Sequence, residues 1–89
     1  MKLLIVVEDI FEFKDGTLHF SPFVAIAELK EVKAGDRLEL RRPDGTTIHT
    51  TLYGFDRASS PVRGQWGLSV NKPLTRADIP IGTEVWKAD

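Results

Sequence analysis

The sequence predicts an all-β fold, a closed or nearly closed antiparallel β-barrel of about six strands. Three observations carry this. Apolar and polar residues alternate with a period of two in short runs such as Leu38-Glu39-Leu40 and Trp66-Gly67-Leu68-Ser69-Val70. Turn signals punctuate these runs at short intervals: Asp15-Gly16, Gly35-Asp36, Asp44-Gly45 and Ile81-Gly82. No apolar periodicity is sustained long enough for a stable helix. Closure has a physical reason, because 89 residues are too few to cover a flat sheet with helices. An open sheet would leave an apolar edge such as residues 3–7 exposed.

Each element follows from local chemistry. Leu3-Leu4-Ile5-Val6-Val7 is continuously apolar and rich in β-branched residues, as suits a shielded strand. Glu8-Asp9 marks a bend. Two carboxylates adjacent on a strand face opposite sides, so they are a poor acid/base pair. Ile10-Phe11-Glu12-Phe13 resumes the pattern, and Asp15-Gly16 predicts a hairpin that pairs Leu18 onward with residues 10–13. Ser21-Pro22 interrupts the return strand, because proline offers no ladder donor. The run then resumes over residues 23–29. Good helix formers at residues 28–32 offer a helical alternative, bracketed by Pro22 and Gly35.

Residues 37–42 form the next strand, closed by Arg42-Pro43-Asp44-Gly45-Thr46, and residues 47–55 pair back with it. Gly54 marks a bulge or barrel corner in that run. Residues 56–64 form a loop containing Ser59, Ser60 and Pro61, and residues 65–70 alternate cleanly as a further strand. Thr75 and Asp78 are spaced for a capped helical turn within the connection 71–82, before the last strand around Val85 and Trp86.

Composition narrows the function. The length fits a single domain over residues 1–89 with one modest core. Twelve Lys and Arg against thirteen Asp and Glu leave a net charge of −1, so the overall balance calls for neither a polyanion nor a membrane surface. A nucleic-acid role must rest on a local patch. Cysteine is absent, which excludes disulfides, thiolate metal sites and a thiol nucleophile, and fits a reducing cytoplasm. The apolar run after Lys2 stops at Glu8, too short for a signal peptide core or a membrane span.

Four stretches resemble successive landmarks of the second, β-barrel domain of elongation factor Tu and related translational GTPases. They are Leu4-Ile5-Val6-Val7-Glu8-Asp9-Ile10-Phe11, Lys33-Ala34-Gly35-Asp36-Arg37-Leu38-Glu39-Leu40, Gly64-Gln65-Trp66-Gly67-Leu68, and Ala77-Asp78-Ile79-Pro80-Ile81-Gly82-Thr83-Glu84-Val85. The resemblance implies a stand-alone six-stranded barrel. It does not bring GTP hydrolysis, because no Gly-x-x-x-x-Gly-Lys-Ser/Thr loop occurs in the chain. In the family this domain helps hold the aminoacylated end of transfer RNA. Carried over by position, Phe11 matches an aromatic of that pocket, Gln65 lies nearest an Asn of the family, and Asp56 begins the neighbouring loop. Arg57 and Arg63 flank that loop and are suited to phosphate or carboxylate.

Structural readings stand beside these. On an alternating strand Phe11 and Phe13 belong in the core, with base stacking as the other use of such rings. Trp66 alternates with Leu68 and Val70 and is also read as core, whereas Trp86 is the better exposed contact. His19 and His49, far apart and without spaced ligands, are read as solvated strand residues. Ser59 and Ser60 lack a nucleophile elbow. Neither catalysis nor a cofactor is expected. Two function classes remain: a non-catalytic module contacting an RNA end or a translation-related protein through Phe11, Asp56, Arg57, Arg63 and Gln65, or a structural or protein-interaction domain able to self-associate.

Overall fold

A computed structural model describes residues 1–57 and 63–89. Among these, nine short strands and two 3₁₀ turns form two antiparallel sheets. One sheet holds β1 (Lys2–Val6), β5 (Arg37–Arg41), β6 (Thr47–Thr51) and β9 (Glu84–Lys87), in the order β1-β9-β5-β6. The other holds β2 (Asp9–Glu12), β3 (Leu18–Ser21), β4 (Val24–Ala25), β7 (Gly54–Asp56) and β8 (Gln65–Val70), in the order β2-β3-β8-β4, with β7 also on β8. The all-β, antiparallel reading is therefore met. The hydrogen-bond ladders draw two open sheets rather than the single closed ladder of about six strands that the sequence suggests.

The β2–β3 and β5–β6 hairpins fold on the same three-residue device. Asp15 Oδ1 accepts the Thr17 amide at 2.9 Å and the Thr17 hydroxyl at 2.6 Å, and Asp44 Oδ1 accepts the corresponding groups of Thr46 at 2.9 and 2.6 Å. The glycine between them, Gly16 or Gly45, has φ of +89° in both turns, a conformation open to a residue without Cβ. The threonine hydroxyl first, and its amide second, hold each Asp carboxyl below the ordinary carboxylate range.

Two crossings, together with the break between β3 and β4 at Pro22, explain the nine strands. Val7 exchanges backbone bonds with the turn before β9, donating to Thr83 and accepting from Gly82, both at 2.8 Å; the next residue, Glu8, donates to Ser21 of β3 at 2.8 Å. The chain changes sheets at the expected Glu8 bend. Leu52 likewise bonds Asp36 and Gly35 at 2.8 Å beside β5, and Tyr53 then donates to Ser69 of β8 at 2.9 Å. So residues 47–55 are not one strand, and the break falls at Leu52-Tyr53 rather than Gly54. At each crossing the buried phase slips: Ile5 and Val7 point inward before it and Ile10 after, as Leu52 does before and Phe55 after.

The run expected over residues 23–29 is strand only at Val24–Ala25 and continues as a 3₁₀ turn at Ile26–Leu29, which drops Leu29 into the core. The turn begins two residues before the helical alternative at residues 28–32 and overlaps it only at Glu28 and Leu29. Between the sheets, Leu18, Phe20, Leu38, Leu40, Leu52, Leu68, Val70 and Val85 are fully buried. The buried Thr83 hydroxyl donates to the Pro80 carbonyl at 2.6 Å. Thr75 and Asp78 flank the second 3₁₀ turn, with the Thr75 amide donating to Asp78 Oδ2 at 2.8 Å.

Candidate binding groove

The strand alternation that fills the core also decides what the second sheet shows on its outer face. Ile10 on β2 and Leu18 and Phe20 on β3 point inward, which turns Phe11 and His19 outward as a register pair. On β8, buried Leu68 pairs with Phe55 of β7, so Gly67 and its partner Asp56 take the outer phase. Phe23 lies directly over Gly67. A Cβ placed there would meet the phenyl ring at 2.6 Å, so the absent side chain is what admits the ring. Phe11, Phe13, His19, Phe23 and Asp56 line a groove of about 470 Å³.

This placement corrects the reading of Phe11 and Phe13 as core. Phe11 is 52% exposed and Phe13 42%. Ile10 takes the inward position of the strand, and both phenylalanines fall in the opposite phase. Phe13 stacks on His19, with ring centroids 3.7 Å apart and planes 16° from parallel.

His19 differs from the solvated residue expected. Its side chain is only 15% exposed, whereas His49 on β6 is exposed as read. His19 Nε2 lies 2.8 Å from Thr17 Oγ1, whose single hydrogen is donated to Asp15. The hydroxyl can therefore only accept from the imidazole, which fixes the proton of the neutral ring on Nε2. Nδ1 is buried without a hydrogen-bond partner among the described residues and lies 3.7 Å from Asp56 Oδ2. The Asp56 side chain is 9% exposed.

Of the five residues singled out by the sequence, Phe11 and Asp56 meet in this groove. Arg57 leaves it: its guanidinium sits 4.3 Å over the ring of Trp66, which packs at a tilt against Phe55. Gln65 is partly exposed at the start of β8, paired with Ala25, and Arg63 is exposed in the preceding turn. Ser59, Ser60 and Pro61, with the centre of the expected 56–64 loop, lie outside the described residues. Trp66 is partly buried against the core, consistent with its sequence reading. Trp86 is not a free contact, because Arg41 covers its ring at 4.5 Å and its indole nitrogen donates to Glu84 at 2.9 Å.

Phe13, His19 and Phe23 are groove residues that sequence reasoning did not assign to a site. The signal for two of them was present: Phe13 shares the phase of Phe11, and the Asp15-Gly16 hairpin sets His19 opposite Phe11. Among the described residues no group of three His, Asp or Glu side chains is placed to hold a metal ion. No helix in them is long and apolar enough to cross a membrane. Compared with known proteins, the chain matches no family model, no curated protein and no solved structure.

Proposed function

We propose that the chain is a non-catalytic binding module of the translation apparatus, and that its aromatic groove takes the unpaired end of an RNA. The observation that carries this is the pair of exposed phenyl rings, Phe11 and Phe13, set with the His19 imidazole on the outer face of one sheet. Exposed π faces side by side suit unstacked bases, which need flat apolar partners and supply their own. Arg57 and Arg63 lie along the chain beside Asp56 and at the start of β8, within the same end of the sheet. Arg63, exposed in that turn, supplies charge for a phosphate, whereas Arg57 is held over Trp66.

The resemblance to the second domain of elongation factor Tu supports the same reading. In it, the two sheets are halves of one bent barrel of about six staves. Counting β1 with β2, and β6 with β7, as continuous bent staves brings the ladders round in a circle through β9 and β5 on one side and β8 and β3 on the other. The Glu-Asp-x-Phe stretch then sits where one stave bends. A cytoplasmic setting follows from the partner.

Anisotropy of a labelled single-stranded RNA with an unpaired 3′ end tests the proposal. Affinity is expected to fall steeply with salt. Phe11→Ala and Phe13→Ala should each cost about 1–3 kcal/mol of binding. Absence of binding at low salt overturns the proposal. It leaves the second reading, a protein-interaction surface, which is favoured by the carboxylate of Asp56 in the groove and the chain's net charge of −1.

A further inference from the structure

We propose that β6 is a docking edge for a second copy of this chain, the two β6 strands pairing antiparallel about a two-fold axis at His49. β6 is the last strand of its sheet, bonded to β5 on one side only. At the two ends of that ladder Arg42 bonds Thr46 and Leu52 bonds Asp36, so the even-numbered residues of the run turn their backbone groups toward β5. The amides and carbonyls of Thr47, His49 and Thr51 point off the sheet. Among the described residues, no backbone group meets them.

The other strand edges are guarded in ways that β6 is not. β1 is broken by a register shift between Leu3 and Ile5, and its Lys2 ammonium group is tied to the Glu28 carbonyl at 2.7 Å. On β2 the edge-facing amide of Ile10 is closed by the Asp9 carboxylate at 2.8 Å, and Glu12 adds a charge. β4 and β7 are only two and three residues long. Charge, irregularity and shortness are the usual defences of an unpaired edge. Thr47-Ile48-His49-Thr50-Thr51 holds no Asp, Glu, Lys, Arg, Pro or Gly, and its register against β5 is unbroken over five residues.

The strand matches itself. A pairing centred on His49 sets Thr47 against Thr51 of the second copy and His49 against its counterpart, so the off-sheet groups of both chains meet in phase with none left over. Ile48 falls opposite Thr50 of the second copy, each of them half-buried beside Leu40 and Leu38. β-branched residues thus oppose one another everywhere but at the centre. On the outer face the rows across the junction read Glu39-His49-His49-Glu39 and Arg41-Thr47-Thr51-Arg37, which holds charges of like sign two side chains apart. An arbitrary extended peptide would complete the ladder without this match of side chains. The two four-stranded sheets become one of eight. No groove residue lies on β6, so the pairing stands or falls apart from what the groove binds. One pair of five-residue strands is far smaller than a standard interface of about 1,200–2,000 Å², so the dimer is weak, with a Kd of about 0.1–1 mM.

NMR on the full chain tests this. Between about 50 µM and 2 mM, translational diffusion should slow and amide shifts should move at Thr47, His49 and Thr51. In a mixture of isotope-labelled and unlabelled copies, Ile48 should contact Thr50 of the other copy. Unchanged diffusion over that range, or shifts centred elsewhere, overturns the proposal. His49→Pro removes an off-sheet amide that β5 does not use, and should abolish the association. His49→Glu and His49→Lys each set like charges across the axis and should weaken self-association at least about tenfold, whereas their equimolar mixture should associate more tightly than either alone. Native fold is checked by the amide spectrum of each variant, and if His49→Pro does not fold the charge pair decides. Association undiminished in the folded variants, or a mixture no tighter than its components, puts the interface elsewhere and overturns the proposal.

Discussion

Leu38 and Phe11 show how much one position on a strand can differ from another. Leu38 is 1% exposed in the middle of β5, where its isobutyl group fills space between the sheets. Leu38→Ala is expected to lower the unfolding free energy by about 2–5 kcal/mol, read from urea melts with unchanged slope. A loss below about 0.5 kcal/mol is what a surface site gives and would contradict its burial. Phe11 is as apolar but points to solvent. In Leu38-Glu39-Leu40 one phase is apolar and the other charged, so the inward side can be read directly. In Ile10-Phe11-Glu12-Phe13 both phases carry apolar residues, and hydrophobicity alone cannot choose between Ile10 and Phe11. His19 was missed for a related reason. The Asp15-Gly16 hairpin places it opposite Phe11, but its burial also depends on Asp56, on a strand 37 positions away, which no pattern around Leu18-His19-Phe20 announces.

Elements were most legible where a single short motif closes on itself. The two Asp-Gly-Thr turns carry their hydrogen bonds within three residues, so sequence suffices to place both hairpins and their register. Gly45→Ala tests that device in the turn where a methyl group meets open space, so that only the positive φ is at issue. The variant should lose about 1–2 kcal/mol in thermal or urea unfolding. An unchanged stability would mean that the turn tolerates another backbone shape. The crossings at Glu8 and Tyr53 were harder to read. A period of two announces an extended chain but not which neighbour it bonds, and the partners of Val7 and Leu52, Thr83 and Asp36, lie far off in sequence. The strand at Val24–Ala25 is short because Leu29 reaches the core through a 3₁₀ turn, which composition at residues 23–29 does not forecast.

For the molecule as a whole, the crossings matter because each sheet supplies only one wall of the core. Leu38, Leu40 and Val85 come from one sheet, and Leu18, Phe20, Leu68 and Val70 from the other, in a single buried cluster. Neither sheet keeps a hydrophobic interior alone, so the two should open together. Native-state hydrogen exchange should give the Val7 and Tyr53 amides, which bond across the changeover points, the same opening free energy as Leu40 and Leu68. Two separate classes of protection, one per sheet, would show that the sheets unfold independently. Composition could suggest a β fold with one core, but not how the ladders divide, because that depends on bonds between residues distant in the chain.

The contact between Phe23 and Gly67 sets the width of the groove by what is missing. With main chain as its floor, the phenyl ring is held at a depth that any added carbon atom would change. The position behaves as a built-in shim, where thickness can be added but not removed. In the proposed binding role, selectivity for bulkier or slimmer guests would be adjustable from beneath the groove, through an atom no guest would touch.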